Sequence, residues 1–145
     1  MAGYMTGLQG YVYEGEYKAK APIASGLFAT IDNDGEVILT TAATTLKMRV
    51  HKATTLWGKP AIEAVVVESG TDEVYFVENV EDLTGVKSLI SPGSEHVAMA
   101  GEYVRMHRML DGEMAIFQID DSQVATLIAG VVITTDAKGK VAVAA

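Results

Sequence analysis

Three histidines and several paired carboxylates are the residues of this chain best suited to catalysis or metal binding. The histidines, His51, His96 and His107, lie at least eleven residues apart, whereas zinc sites usually draw ligands from closely spaced positions on one strand or helix. Paired carboxylates can act as general acid and base when their surroundings separate their pKa values. An acid–base hydrolase using carboxylates such as Glu78 and Asp82 is therefore one hypothesis, but we expect a protein that is not an enzyme.

The run Asp32–Gly35 has the residue types of a calcium loop but a different spacing. An EF-hand with Gly35 at its sixth position would need ligands at Thr30 and Thr41, and neither is a carboxylate. Asn-Asp-Gly also favours a tight turn, because these residues tolerate positive φ. The sequence therefore predicts a hairpin with strands over 25–31 and 36–40, and no metal site.

Composition narrows the functional classes further. The 145 residues include no cysteine, which excludes disulfides, thiolate nucleophiles and cysteine-ligated metals. No glycine-rich phosphate loop is present, so we expect no cofactor. Nineteen acidic against eleven basic residues give a net charge of −8, which disfavours binding to nucleic acid and to anionic membranes. We expect a soluble chain, because no secretory signal and no apolar run of about 20 residues occurs.

Alternating apolar and polar residues predict short strands along most of the chain. The clearest are 10–18, 45–53, 61–68 and 73–78, and pairing of the last two across Ser69–Asp72 would make a second hairpin. Later candidates are 97–99, 103–109, 113–119, 131–135 and 141–143. One short helix is predicted over Asp121–Ala129, with Gly130 after its end.

These elements indicate a mainly β protein, a compact antiparallel β-sandwich or β-barrel. Residues 10–145 are predicted to form a single β domain. Residues 1–9 are rich in glycine and are predicted to be an extended N-terminal arm. Residues 81–90 are compatible with a short helical turn or with an irregular loop.

A few side chains are candidates for an interface with a partner. Tyrosine combines an apolar ring with a polar tip and is enriched at interfaces. Alternation predicts that three basic residues share one face of the 45–53 strand. Two arginines flank His107. The candidate interface residues are Tyr4, Tyr11, Tyr13, Tyr17, Lys47, Arg49, His51, Arg105 and Arg108.

The chain resembles the capsid decoration (cement, or auxiliary capsid) proteins of tailed bacteriophages. The segments that carry the resemblance are the glycine-rich start 1–10, then 26–32, and near the end 127–133 and 139–142. The resemblance implies a β protein of the virion surface, assembled in the host cytoplasm. It also implies a protein that binds the major capsid protein, bridges capsid subunits and self-associates, for example as a trimer. A tail-tube, neck or head-fibre component is the alternative.

Overall fold

The computed structural model describes residues 2–7, 13–14, 16–79 and 97–144. Short strands dominate these residues, which confirms the mainly β prediction. In chain order they are β1 Gly3–Gly7, β2 Tyr13–Glu14, β3 Ile23–Ala24, β4 Phe28–Ile31, β5 Val37–Leu39, β6 Lys47–Leu56, β7 Lys59–Glu68, β8 Tyr75–Val77, β9 Val97–Ala98, β10 Met106–Arg108, β11 Met114–Gln118, β12 Val132–Thr135 and β13 Val141–Val143.

The strands form three antiparallel sheets stacked as layers. A six-stranded sheet has the order β1-β11-β7-β6-β12-β13, and a five-stranded sheet has the order β2-β10-β8-β4-β5. These two pack face to face over the main core. Strands β3 and β9 pair separately and contribute to a second core on the other face of the five-stranded sheet. The five-stranded sheet is therefore the middle layer.

Three phenylalanine rings fill the centre of the main core. Phe28 meets Phe76 and Phe117 edge-on, with centroid distances of 5.4 and 5.3 Å. Phe76 and Phe117 lie 5.9 Å apart. Because the rings come from β4, β8 and β11, they connect both large sheets through contacts that aromatic pairs favour.

The alternation predicted for residues 45–53 is confirmed from Leu46 to His51, but a register shift after Val50 interrupts it, and His51, Lys52 and Ala53 are all exposed. Met48 and Val50 lie in the main core, and the strand continues to Leu56 before turning into β7. Trp57 and Gly58 both have positive φ, at 54° and 72°. This backbone suits a two-residue hairpin turn whose twist matches that of the flanking strands.

The hairpin predicted around Asp32–Gly35 is also confirmed, as β4 and β5. Asp32 Oδ1 accepts the N–H groups of Asp34 and Glu36, at 3.0 and 2.9 Å. The Glu36 N–H contributes most to lowering the pKa of the Asp32 carboxyl below its ordinary value. The aspartate thus stabilises the turn as a local acceptor.

The hairpin predicted between 61–68 and 73–78 is wrong. Strand β7 pairs with β6 and β11, whereas β8 pairs with β10 and β4 in the other sheet. All three residues of β8 are buried, so this strand needs cover on both faces, which only the middle layer provides. Asp72 Oδ2 accepts the Thr45 N–H at 2.8 Å and holds the crossing loop.

The helix predicted over Asp121–Ala129 is shorter than expected. Only Asp121–Gln123 forms a 3₁₀ turn, with Asp120 as its N-cap residue. The Gln123 side chain makes two bonds: its Oε1 accepts the Asp120 N–H at 3.2 Å, and its Nε2 donates to Val141 O at 2.7 Å. A second 3₁₀ turn covers Ala137–Gly139. Among the described residues no helix is long and apolar enough to cross a membrane.

Five residues of the predicted N-terminal arm are part of the β body. Strand β1 pairs with β11 at the edge of the six-stranded sheet, and the Ala2 N–H donates to Gln118 Oε1 at 3.0 Å. The arm prediction is therefore corrected for residues 3–7, while residues 1, 8 and 9 lie outside the described part of the chain.

Replacing Gly3 by alanine tests how tightly β1 packs on the core. A Cβ at Gly3 would lie 2.8 Å from Phe117 Cβ, Phe76 Cζ and Gly26 Cα, closer than real contacts allow. We expect Gly3→Ala to lower the free energy of unfolding by about 1–3 kcal/mol, the usual cost of overpacking, in urea titrations. Tyr4→Phe on the same strand is the control. Equal stability of Gly3→Ala and wild type would contradict this packing.

Candidate interaction surface

The six-stranded sheet carries a row of apolar side chains on the face turned away from the main core. Met114 lies opposite Val65, Val65 opposite Arg49, and Arg49 opposite Val132. Their chain neighbours point into the core, so alternation puts these residues on the outside. We call this surface the outer face, and define it by Tyr4, Arg49, Val65, Met114, Ile116 and Val132.

Tyr4 and Ile116 form a second pair on the outer face. The two residues are register partners between β1 and β11, and both side chains are half-buried. The neighbouring Met5 packs instead against the main core. The outer face therefore continues across the sheet from its β1 edge to β12.

Basic residues border these apolar side chains along β6. Arg49 and His51 are exposed and Lys47 is half-buried. His51 Nε2 lies 3.9 Å from Glu63 Oε1, and Lys47 is the register partner of Glu68. The three predicted basic residues thus lie on one strand, and Arg49 has apolar register partners on both sides.

The structure does not gather the predicted tyrosines into one surface. Tyr4 lies on the outer face, but Tyr17 packs against the second core, on the far side of the molecule. Tyr13 belongs to β2 in the middle layer. Tyr11 lies outside the described residues.

The two predicted arginines also diverge. Arg108 lies at the end of β10 with its Nη2 3.9 Å from Glu73 Oε1. Arg105 precedes β10, where its main-chain oxygen accepts the Glu78 N–H at 2.9 Å. An odd spacing along extended chain places two side chains on opposite faces. Neither arginine belongs to the outer face.

A buried polar cluster lies between the two large sheets at one end of the sandwich. It consists of Glu78, His107 and Glu113. His107 is fully buried, and its Nε2 lies 3.7 Å from Glu78 Oε2. Glu113 is also buried, and its Oε2 accepts the Leu110 N–H at 3.4 Å. Burial raises the pKa of the Glu113 carboxyl, while the Leu110 N–H and the His107 charge act in the opposite direction.

Glu78, which the hydrolase hypothesis used, has a structural contact in this cluster. Its Oε2 accepts the Met5 N–H at 2.7 Å. Asp82 lies outside the described residues, so the proposed pair is not seen together. Among the described residues, Asp32, Asp34 and Glu36 lie close together, with carboxylate oxygens within 4.8 Å of one another. Two main-chain N–H groups already occupy Asp32 Oδ1, as the turn interpretation requires.

Sequence reasoning missed the apolar members of the outer face and the buried polar cluster. Val65, Met114, Ile116 and Val132 share one face of the sheet only through the pairing of β11, β7, β6 and β12. The segments 61–68 and 114–117 are apolar at inner and outer positions alike, so their patterns did not indicate which residues face away from the core. No local pattern links Glu78 to His107 and Glu113, because strand pairing across long sequence separations brings them together.

Glu113→Gln tests the cost of burying this carboxyl. A pKa raised in the folded state favours folding at acid pH, and this contribution is lost as pH rises above the ordinary value of 4.5. We therefore expect Glu113→Gln to be more stable than wild type near pH 8, by on the order of 1 kcal/mol, and about equal near pH 4. Urea titrations at both pH values measure this. The exposed Glu73→Gln is the control, and a pH-independent difference for Glu113→Gln would contradict the assignment.

Comparison with known proteins adds no relative to this description. The chain matches no protein-family model, no curated protein and no solved structure. Its function is therefore inferred from its own surface and from the resemblance noted in its sequence.

Proposed function

We propose that this chain is a structural protein of a phage virion that binds the outside of the capsid and stabilises the shell by bridging subunits of the major capsid protein. In this proposal the chain is a non-enzymatic, cofactor-free homo-oligomer on the capsid surface. The resemblance to decoration proteins supplies the partner. The outer face of the six-stranded sheet supplies the surface that would bind it.

The outer face is the single observation that carries the proposal. Val65 on β7 lies opposite Met114, and Ile116 follows two residues further along β11. Val132 on β12 lies on the other side of Arg49, and all four apolar side chains are partly accessible. Contiguous apolar surface rimmed by polar residues is typical of protein interaction sites. Tyr4 at the edge of this surface adds a residue type enriched at interfaces.

The dimensions of this sheet suit a protein partner. Strands β6 and β7 have ten residues each, which corresponds to a length of about 33 Å. Six strands spaced about 4.8 Å apart give a width of about 24 Å. The other four strands have only three to five residues each, so the area of the face is about 600 Å², somewhat less than one partner contributes to a standard-size interface.

Two exposed basic side chains lie on the outer-face side of this acidic protein. The chain has a net charge of −8, yet Arg49 and His51 are exposed on the outer face side of β6. A partner that places a carboxylate opposite Arg49, within an apolar surround, would gain a partly desolvated ion pair. Such pairs contribute orientation and specificity as well as affinity.

Binding to purified capsid shells tests the proposal. We expect the double variant Arg49→Glu/Ile116→Asp to lose at least tenfold in affinity in a co-sedimentation assay. The variant places one negative charge opposite the proposed carboxylate of the partner and a second one within the apolar contact. Lys59→Glu is the matched control. It reverses a charge on the same sheet, six residues along β7 from Val65 and about 20 Å away, and should bind as wild type does.

The copy number of the chain in purified particles separates the proposal from its alternative. Hundreds of copies, counted by mass spectrometry against the major capsid protein, would support a shell-covering protein. A few to some tens would indicate a tail-tube, neck or head-fibre component instead. Absence from particles, or equal binding by the double variant and Lys59→Glu, would contradict the proposal.

A further inference from the structure

Strand β1 is attached to the sandwich on two sides. On one side it pairs with β11, with Gly3, Tyr4 and Met5 opposite Phe117, Ile116 and Ala115. On the other side the Met5 N–H donates to Glu78 Oε2 at 2.7 Å. Glu78 directly follows β8, a strand of the five-stranded sheet. This one hydrogen bond therefore links the edge of the outer sheet to the middle layer.

The acceptor in this link is a carboxylate next to a titratable ring. His107 Nε2 lies 3.7 Å from the same Glu78 Oε2, and the His107 side chain is fully buried. His107 is the register partner of Phe76, so it faces the main core beside β1. The Met5 N–H therefore donates to a carboxylate oxygen that also lies next to the His107 ring.

Few other charged groups face this position from the described elements. The Arg105 main-chain oxygen accepts the Glu78 N–H. Glu113, in the segment just before β11, lies close enough to His107 for the two groups to interact electrostatically. The described residues of β1 and β4 include no Asp, Glu, His, Lys or Arg. The charged and titratable groups near the Met5 N–H, among the described residues, are thus two carboxylates, one imidazole and one guanidinium.

We propose that Glu78 and His107 form an acid-sensitive latch that holds β1 on the sandwich at neutral pH and releases it when the Glu78 carboxylate is protonated. A charge-assisted hydrogen bond is roughly twice as strong as a neutral one. Protonation weakens the bond to Met5 and removes the negative charge that lies next to the buried His107 ring. Both changes act on the same end of β1.

Release of β1 would uncover the edge of β11. That edge consists of Met114–Gln118, and an unpaired strand edge accepts a strand from another chain. Acid would thus convert a closed edge into one able to pair with a second copy or another protein. The inference concerns the isolated chain and stands independently of the proposed function.

Amide hydrogen exchange of the purified full-length chain, followed by NMR between about pH 7.5 and about pH 4, tests the latch. Protection factors, which correct for the intrinsic pH dependence of exchange, report local opening. We expect protection at Tyr4 and Met5 to fall about tenfold or more toward acid pH. Protection in the β6–β7 hairpin, for example at the Val50 and Val66 N–H groups, should stay constant.

Glu78→Gln keeps the shape of the acceptor and removes its charge. We expect this variant to show the low, acid-like protection of β1 already near pH 7.5, with little further change on acidification. Glu63→Gln is the matched control, because Glu63 also faces a histidine, His51, at 3.9 Å, but on the outside of the sheet. It should keep the wild-type profile.

Several outcomes would overturn the latch. Constant β1 protection across the pH range in the wild type would do so, as would a wild-type profile in Glu78→Gln or an altered one in Glu63→Gln. Loss of protection in β6–β7 at the same pH would indicate global acid unfolding instead. Should Glu78→Gln not fold, the ¹³C titration of the Glu78 carboxyl in the wild-type chain must share its midpoint with the loss of β1 protection, and different midpoints would refute the proposal.

Discussion

The close approach of strand β1 to three phenylalanine rings is the constraint on which the rest of the structure depends. Phe28, Phe76 and Phe117 join the two large sheets, and the space left beside them admits only a residue without a side chain. Gly3 provides it, at a place where a Cβ would lie 2.8 Å from the Phe76 ring and 2.8 Å from Phe117 Cβ. Because Gly3 faces these side chains, alternation along β1 places its neighbour Tyr4 on the outer face.

Local patterns in the sequence were sufficient for the elements whose neighbours are close along the chain. The β4–β5 hairpin could be predicted because Asp32 and Gly35 provide the acceptor and the positive φ that the turn requires. The inner face of β6 could be predicted from the alternation that ends at Val50. In both cases the deciding interaction lies within a few residues.

Elements decided by distant neighbours were predicted less well. Strand β8 looked like a hairpin partner of β7, but complete burial of its three residues places it in the middle layer. The 121–129 segment has the predicted capping residues, and the cap forms between Asp120 and Gln123, but only one 3₁₀ turn follows it, and Gln123 also bonds to the distant Val141. For the same reason the sequence named Tyr4, Arg49 and His51 as interface candidates, but not Val65 or Ile116, whose contribution depends on strand register.

The Trp57-Gly58 turn has a practical consequence for spectroscopy. Trp57 is the only tryptophan of the chain, and 54% of its surface is exposed at the tip of the β6–β7 hairpin. Its fluorescence in the native state should therefore resemble that of a solvated indole and change little when the core unfolds. The same position makes it a sensitive reporter of any molecule that contacts the hairpin tip, whereas circular dichroism is the better probe of global unfolding.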